Sequence, residues 1–145
     1  MPETTTTEPT TQAEWELLTK RAEAVVEQEA GDPGMFQPLM HECHVLLLDI
    51  GLLLARLNDE RYAAEREWTR VRNVTMVRYI EHGATFARAQ GDVAALDERK
   101  KADDLKVIFH HAEDTQKALQ AKHYSLMNVN RGLQSAMYEG GRRNA

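Results

Sequence analysis

The string His41-Glu42-Cys43-His44 gathers two imidazoles, a thiol and a carboxylate in consecutive residues. On a helix His41 and His44 stand three apart and share a face, and a Cys43 thiolate would complete the donor set of a zinc site. The spacing is one residue short of the helical metalloprotease pattern, which sets histidines at i and i+4 around a glutamate. The plainer reading places the pair at the entry to a buried helix, with Cys43 as a small core residue. No metal and no other cofactor is expected. His41, Cys43 and His44 are the ligands that a metal-dependent enzyme built on this chain would use. His110, His111 and His123 form a second group, suited to metal binding or a pH switch. Adjacent helical residues point about 100° apart and cannot chelate one ion together, so these are expected on the surface.

Asp49 sits in the most apolar stretch of the chain. A carboxylate buried there is costly unless paired, and Arg72 or Arg78 is the expected partner. The pair would set register, or else handle a proton. The chain shows no Gly-rich phosphate loop, no nucleophile elbow and no paired catalytic carboxylates. The expectation is a protein that is not an enzyme.

Basic residues make a different candidate. The formal charge is −5, but residues 1–60 hold three basic and twelve acidic groups, whereas 61–145 hold fifteen basic and eleven acidic. Such a division hints at an acidic segment beside a surface that faces nucleic acid or a partner. Arg66, Arg70, Arg72 and Arg78, with Arg99, Lys100, Lys101 and Lys106, are the candidate phosphate contacts. Arg61, Lys117, Lys122 and Arg131 extend the set, and Trp68 and Tyr79 would stack on bases if exposed. Interleaved acids, among them Glu65, Glu67, Asp97, Glu98, Asp103 and Asp104, support the alternative of an ordinary solvated helix.

These groups need elements to hold them. With 145 residues, 42% hydrophobic and 28% charged, the chain has the size and composition of one folded domain. Four Pro and eight Gly, without polar-apolar alternation, exclude a small β-sandwich and leave an all-α fold. A disordered tail is expected over 1–11, a single helical domain over 12–141 and a short basic end over 142–145. Thr11 and Glu14 have capping-box spacing, which opens a first helix running to Ala30, and Gly31-Asp32-Pro33-Gly34 then turns the chain. Pro38 is placed to open a second helix at its first position. Its run Val45 to Leu57 predicts an element buried on all sides. Asn58-Asp59-Glu60 marks a stop and a new cap, so separate helices are expected over 39–57 and 59–82, with one continuous helix as the alternative. Gly83 suits a C-terminal cap, a short helix or turn follows over 84–90, and Asp92 is placed to cap the next helix.

From Val93 to Glu139 there is no Pro. Leu105, Ala112, Leu119, Leu126 and Leu133 recur every seven residues. Leu105, Leu119, Leu126 and Leu133 are the candidate interface seam, although Thr115 and Lys122 in the companion row spoil a simple coiled coil. Gly140-Gly141 is expected to stop this helix. About 48 residues at ~1.5 Å each give ~72 Å, and a compact domain of this size is only ~38 Å across. Either the helix breaks near Asn128 to Gly132, or an elongated helical bundle or hairpin buries the overhang in a homo-oligomer, the preferred expectation. One cysteine and no apolar stretch of about 20 residues lead to the expectation of a cytoplasmic protein with no membrane partner.

The segment Gly91-Asp92-Val93-Ala94-Ala95-Leu96, then Ala112-Glu113, Lys117-Ala118 and Asn128-Val129-Asn130-Arg131-Gly132-Leu133-Gln134, resembles small all-helical early-region proteins of tailed phages of Gram-positive bacteria. The resemblance spans about residues 70–143. It implies a phage accessory protein of DNA replication or recombination, working in the host cytoplasm, and transfers no catalytic residue. The first expected function is therefore binding of DNA or of a DNA-handling protein. The alternative is a protein-binding module, an inhibitor of a host or defence factor or an assembly factor, docking on a phage or host protein.

Overall fold

The computed structural model describes residues 10–143. Its elements are α1 (Thr11–Glu27), α2 (Phe36–Arg78), α3 (Ala84–Ala94) and α4 (Leu96–Arg143), with 3₁₀ turns at Pro33–Met35 and Ile80–His82. The fold is all-α, with no strand among the described residues. Most of the expected tail and Asn144-Ala145 of the expected basic end lie outside the described residues. The described residues group into two compact units, one made of those up to Leu53 and from Ala112 on, the other of 54–111.

Helix boundaries differ from expectation for local reasons. Thr10, not Thr11, caps α1: its hydroxyl accepts from the Ala13 amide at 3.3 Å. The residue three beyond the cap is then Ala13 rather than Glu14, and Glu14 adds its charge to the first turn. The helix ends at Glu27 rather than Ala30, with Gln28 already extended. Asp32 organises the turn by accepting from the Gly34 amide at 3.1 Å. Because that turn leads straight into helix, α2 starts at Phe36 and Pro38 falls inside its first turn, where a missing amide costs little.

The expected stop at Asn58-Asp59-Glu60 is absent, and α2 runs unbroken for 43 residues. The Asn58 side chain accepts from Arg61 at 2.9 Å instead of capping a new helix. Nor is α2 buried all round. Cys43, Leu46, Ile50, Leu53 and Leu57 are buried, whereas Leu48 and Leu52 on the other side are 59% and 67% exposed. The helical stretch Pro33–Arg78 holds an 18-residue window of mean hydropathy 1.4, long and apolar enough by length and composition to cross a membrane, and 28% of it is buried. Leu39, Met40 and Cys43 extend the apolar content upstream of the Val45 to Leu57 run.

Gly83, at φ +100°, both ends the second 3₁₀ turn and caps α3. Gly91 and Asp92 lie inside α3 rather than breaking it. Asp92 pairs with Arg72 and does not cap α4. Helix α4 continues for 48 residues, through Asn128 to Gly132 and through Gly140-Gly141 to Arg143. A helical glycine costs only about 1 kcal/mol, and none of these adopts the positive φ that ends a helix.

In the first unit, α1 and the N-terminal half of α2 form a hairpin against the C-terminal half of α4. Its buried residues are Leu18, Ala22 and Val25, then Phe36, Leu39, Cys43, Leu46, Ile50 and Leu53, then Ala112, Leu119 and Leu126. Arg21 pairs with Glu42 at 2.7 Å across the hairpin. Lys122 donates to the Gln28 carbonyl at 2.6 Å, placing a cation on a carbonyl at the α1 C-terminus. The second unit joins the C-terminal half of α2, α3 and the start of α4 around Leu57, Ala64, Ala87, Ala95, Ala102 and Gly91.

Candidate interaction surfaces

Helix position disperses the His-Glu-Cys-His string. His41 and His44 are exposed, and Cys43 is fully buried on the opposite side of α2. Glu42 is engaged by Arg21. Burial, partly offset by Lys122, pushes the Cys43 thiol above its ordinary value, so it is a core residue rather than a nucleophile. Among the described residues no group of three or more His, Cys, Asp or Glu is placed to hold a metal ion. His110 and His111 are exposed, and His123 is half-buried.

Asp49 does not have the expected buried partner. It is half-exposed, and among the described residues no charged or polar residue is buried. The Arg72 guanidinium is turned to Asp92, with Nε 2.6 Å from the carboxylate. The helix that was to bury Asp49 has one buried side, and Asp49 lies near its edge.

All eight candidate phosphate contacts fall in the second unit. Arg70 makes a two-point contact with Glu67, at 2.6 and 2.8 Å. This hydrogen bonding holds the Glu67 carboxyl below its ordinary value and raises Arg70. Arg72 pairs with Asp92, and Arg99 lies 3.9 Å from Asp103 and 5.7 Å from the Trp68 ring. Arg66, Arg78, Lys100 and Lys106 are exposed. Regrouping by unit dilutes the basic bias seen along the chain, because 54–111 holds eleven basic and ten acidic residues. Arg61 is internal: it bonds Asn58 and stacks on Tyr62 and Phe109 at 4.6 and 5.1 Å. Lys117 pairs with Asp114. The candidate base platforms Trp68 and Tyr79 are both half-buried, and Tyr79 packs against His82 and Phe86 at 6.2 and 5.9 Å.

The leucine seam divides. Leu119 and Leu126 are buried inside the first unit and are not offered to a second copy, and Leu133 is half-buried. Leu105 instead lines a groove of about 580 Å³ in the second unit. That groove has an apolar floor of Ala63, Ala64 and Leu105, a rim of Glu60, Glu67, Asp97 and Glu98, and a single cation, Lys101. Its signal was present in the sequence: Glu60, Ala63, Ala64 and Glu67 repeat at helical spacing, which puts them on one side of α2. The pairing of that side with the first turns of α4 is a tertiary fact. No protein-family model, curated protein or solved structure matches this chain.

Proposed function

We propose that the protein is a non-enzymatic helical interaction module whose second unit receives a basic, amphipathic segment of a partner protein. The observation that carries this reading is the groove: an apolar floor framed by Glu60, Asp97 and Glu98, with Lys101 beside them and Glu67 already bonded to Arg70. Such a site favours a helix or extended peptide with apolar anchors flanked by Lys or Arg. Ion pairing of Arg70, Arg72 and Arg99 within the unit leaves less positive surface for a phosphate backbone than the chain's basic half implies. The partner would be a phage or host protein, in keeping with the early-region resemblance of residues 70–143, and the site of action the host cytoplasm. DNA binding is the second reading, favoured by the exposed side chains of Arg66, Arg78, Lys100 and Lys106.

One titration separates them. A fluorescent Lys- and Leu-containing amphipathic peptide should bind at low salt, and an Asp97→Lys, Glu98→Lys protein should lose that binding. Tight binding of single-stranded or duplex DNA at low salt, weakening steeply as salt rises, with no peptide binding, would overturn the first reading in favour of the second.

A further inference from the structure

The last turns of α4 stand open. From Arg131 to Arg142 every residue except Leu133 is exposed, and among the described residues nothing lies within 4 Å of a Cβ built on Gly132, Gly140 or Gly141. Glycine is a poor helix former, so this stretch is held neither by burial nor by strong propensity. One line along it stands out. Arg131, Ser135, Tyr138 and Arg142 follow in steps of four, three and four, which sets all four within about 60° of arc. Arg131, Ser135, Tyr138 and Glu139 border one shallow depression, and Tyr138 is 81% exposed. A tyrosine between arginines is the composition of an interface anchor.

We propose that this end of α4 docks in the acidic groove of a second copy, with Tyr138 on the groove floor and Arg131 and Arg142 at its carboxylates. The inference rests on the reading of the groove as a receptor for a basic, amphipathic segment, and it names that segment. Charge and shape both select it. In the groove, Asp97 and Glu98 stand with a lone Lys101; on the helix end, two aligned arginines stand with a lone Glu139. The majority charges are opposite, and so are the minority ones. Ala63 and Ala64 keep the floor short-chained, which leaves room for an aromatic ring against Leu105. Arg142 lies one turn beyond Tyr138, about 6 Å, and Arg131 two turns before it, about 10 Å, so both flank the ring along the groove. Glu67, already bonded to Arg70, is not required. Nucleic acid is a poorer occupant of the same line, because Glu139 would meet phosphate. Each copy offers one groove and one helix end, so the contact joins unlike surfaces.

Sedimentation equilibrium of the full chain tests this, from about 5 to about 500 μM, the range for an interface below standard size. Reversible self-association is expected, weakening as salt rises. Tyr138→Ala should weaken it by roughly tenfold or more, with an unchanged circular dichroism spectrum. Gly140→Ala, on the side of α4 away from Tyr138, should tighten it by about twofold to fivefold by favouring the helix in advance, an effect that damage to the fold would not produce. Charge exchange identifies the two surfaces. The Arg131→Glu, Arg142→Glu protein and the Asp97→Lys, Glu98→Lys protein should each be monomeric alone and should associate when mixed. The Lys- and Leu-containing peptide should compete with self-association. A chain that is monomeric at every concentration yet binds that peptide would overturn this inference and leave the reading of the groove standing, whereas loss of both would overturn the two together. Self-association that survives Tyr138→Ala or either charge-reversed protein would also overturn it, as would DNA binding that Arg131→Glu, Arg142→Glu abolishes in a chain that does not self-associate.

Discussion

The two units solve the same packing problem with different side chains. In the first, Leu46, Ile50, Leu53 and Leu119 are fully buried and large, so three helices are held by apolar volume. In the second, the buried positions are mostly alanine and glycine, and the helices approach until backbone meets side chain. A Cβ on Gly91 would lie 2.7 Å from Met76 Cγ and 2.9 Å from the Arg72 carbonyl oxygen. Burying a leucine stabilises by about 1.5–3 kcal/mol, and an alanine contributes far less. The second unit therefore relies more on half-buried contacts, such as Arg61 between Tyr62 and Phe109 and the ring cluster of Tyr79, His82 and Phe86. It also carries the groove. A large apolar core secures one unit, and close helix approach leaves the other more of its surface for partners.

The chain's two tryptophans report the units separately, Trp15 from the first and Trp68 from the second. Urea unfolding of Trp15→Phe and Trp68→Phe proteins follows each core through the remaining indole. The largest effect is expected from Leu46→Ala, a loss of about 2–5 kcal/mol for a buried leucine, registered first at Trp15. Equal displacement of both signals would mean one cooperative core and would break the contrast. Gly91→Val ranks next, with a loss of about 1–3 kcal/mol from overpacking that should appear at Trp68 and leave Trp15 nearly unmoved. A neutral Gly91→Val would remove close approach as the basis of the second unit.

Smaller effects sharpen the comparison. Arg72→Met should cost about 0–1 kcal/mol, because the Arg72–Asp92 pair is partly exposed and screened by solvent and salt. A loss well above that range would make the pair a main support of α3. Smallest is Glu67→Gln. Hydrogen bonds from Arg70, more than its charge, lower the folded-state value of the Glu67 carboxyl. Its stabilisation is present above the ordinary glutamate range, near pH 4, and is lost as pH falls through the depressed folded value. Glu67→Gln should flatten that acid-side slope slightly and leave stability at neutral pH almost unchanged, as thermal melts from pH 3 to pH 7 would show.

Much of the architecture was legible in the residues. Scarce proline, few turns and long runs at helical spacing led to an all-α fold with a long C-terminal helix, whereas the seven-residue row from Leu105 to Leu133, expected as an interface seam, has Ala112, Leu119 and Leu126 buried and Leu105 and Leu133 only half-buried. Helix ends were less legible. Asn58-Asp59-Glu60, Gly91-Asp92 and Gly140-Gly141 are favourable stop or cap chemistry, yet each lies inside a helix, because a breaker only permits an end and packing decides whether it is used. The same limit applied to the candidate sites. Adjacency along the chain put Cys43 beside His41 and His44, but the helical twist separates it from them, and the basic residues lost much of their apparent freedom to Glu67, Asp92 and Asp103.

By itself the sequence determined what each helix carries, since the 3.6-residue period assigns every side chain an azimuth whatever lies next to it. That was enough to align Glu60 with Ala63, Ala64 and Glu67, and to set Leu48 and Leu52 on one line. Tertiary structure alone decided which azimuths were consumed inside a unit and which were left to solvent. It buried the Cys43 side of α2, left the Leu48 side open, and brought Asp97 and Glu98 to face Glu60 and Glu67. The physical reason is that burial and ion pairing depend on the neighbouring helix, a partner distant in sequence that no local pattern names.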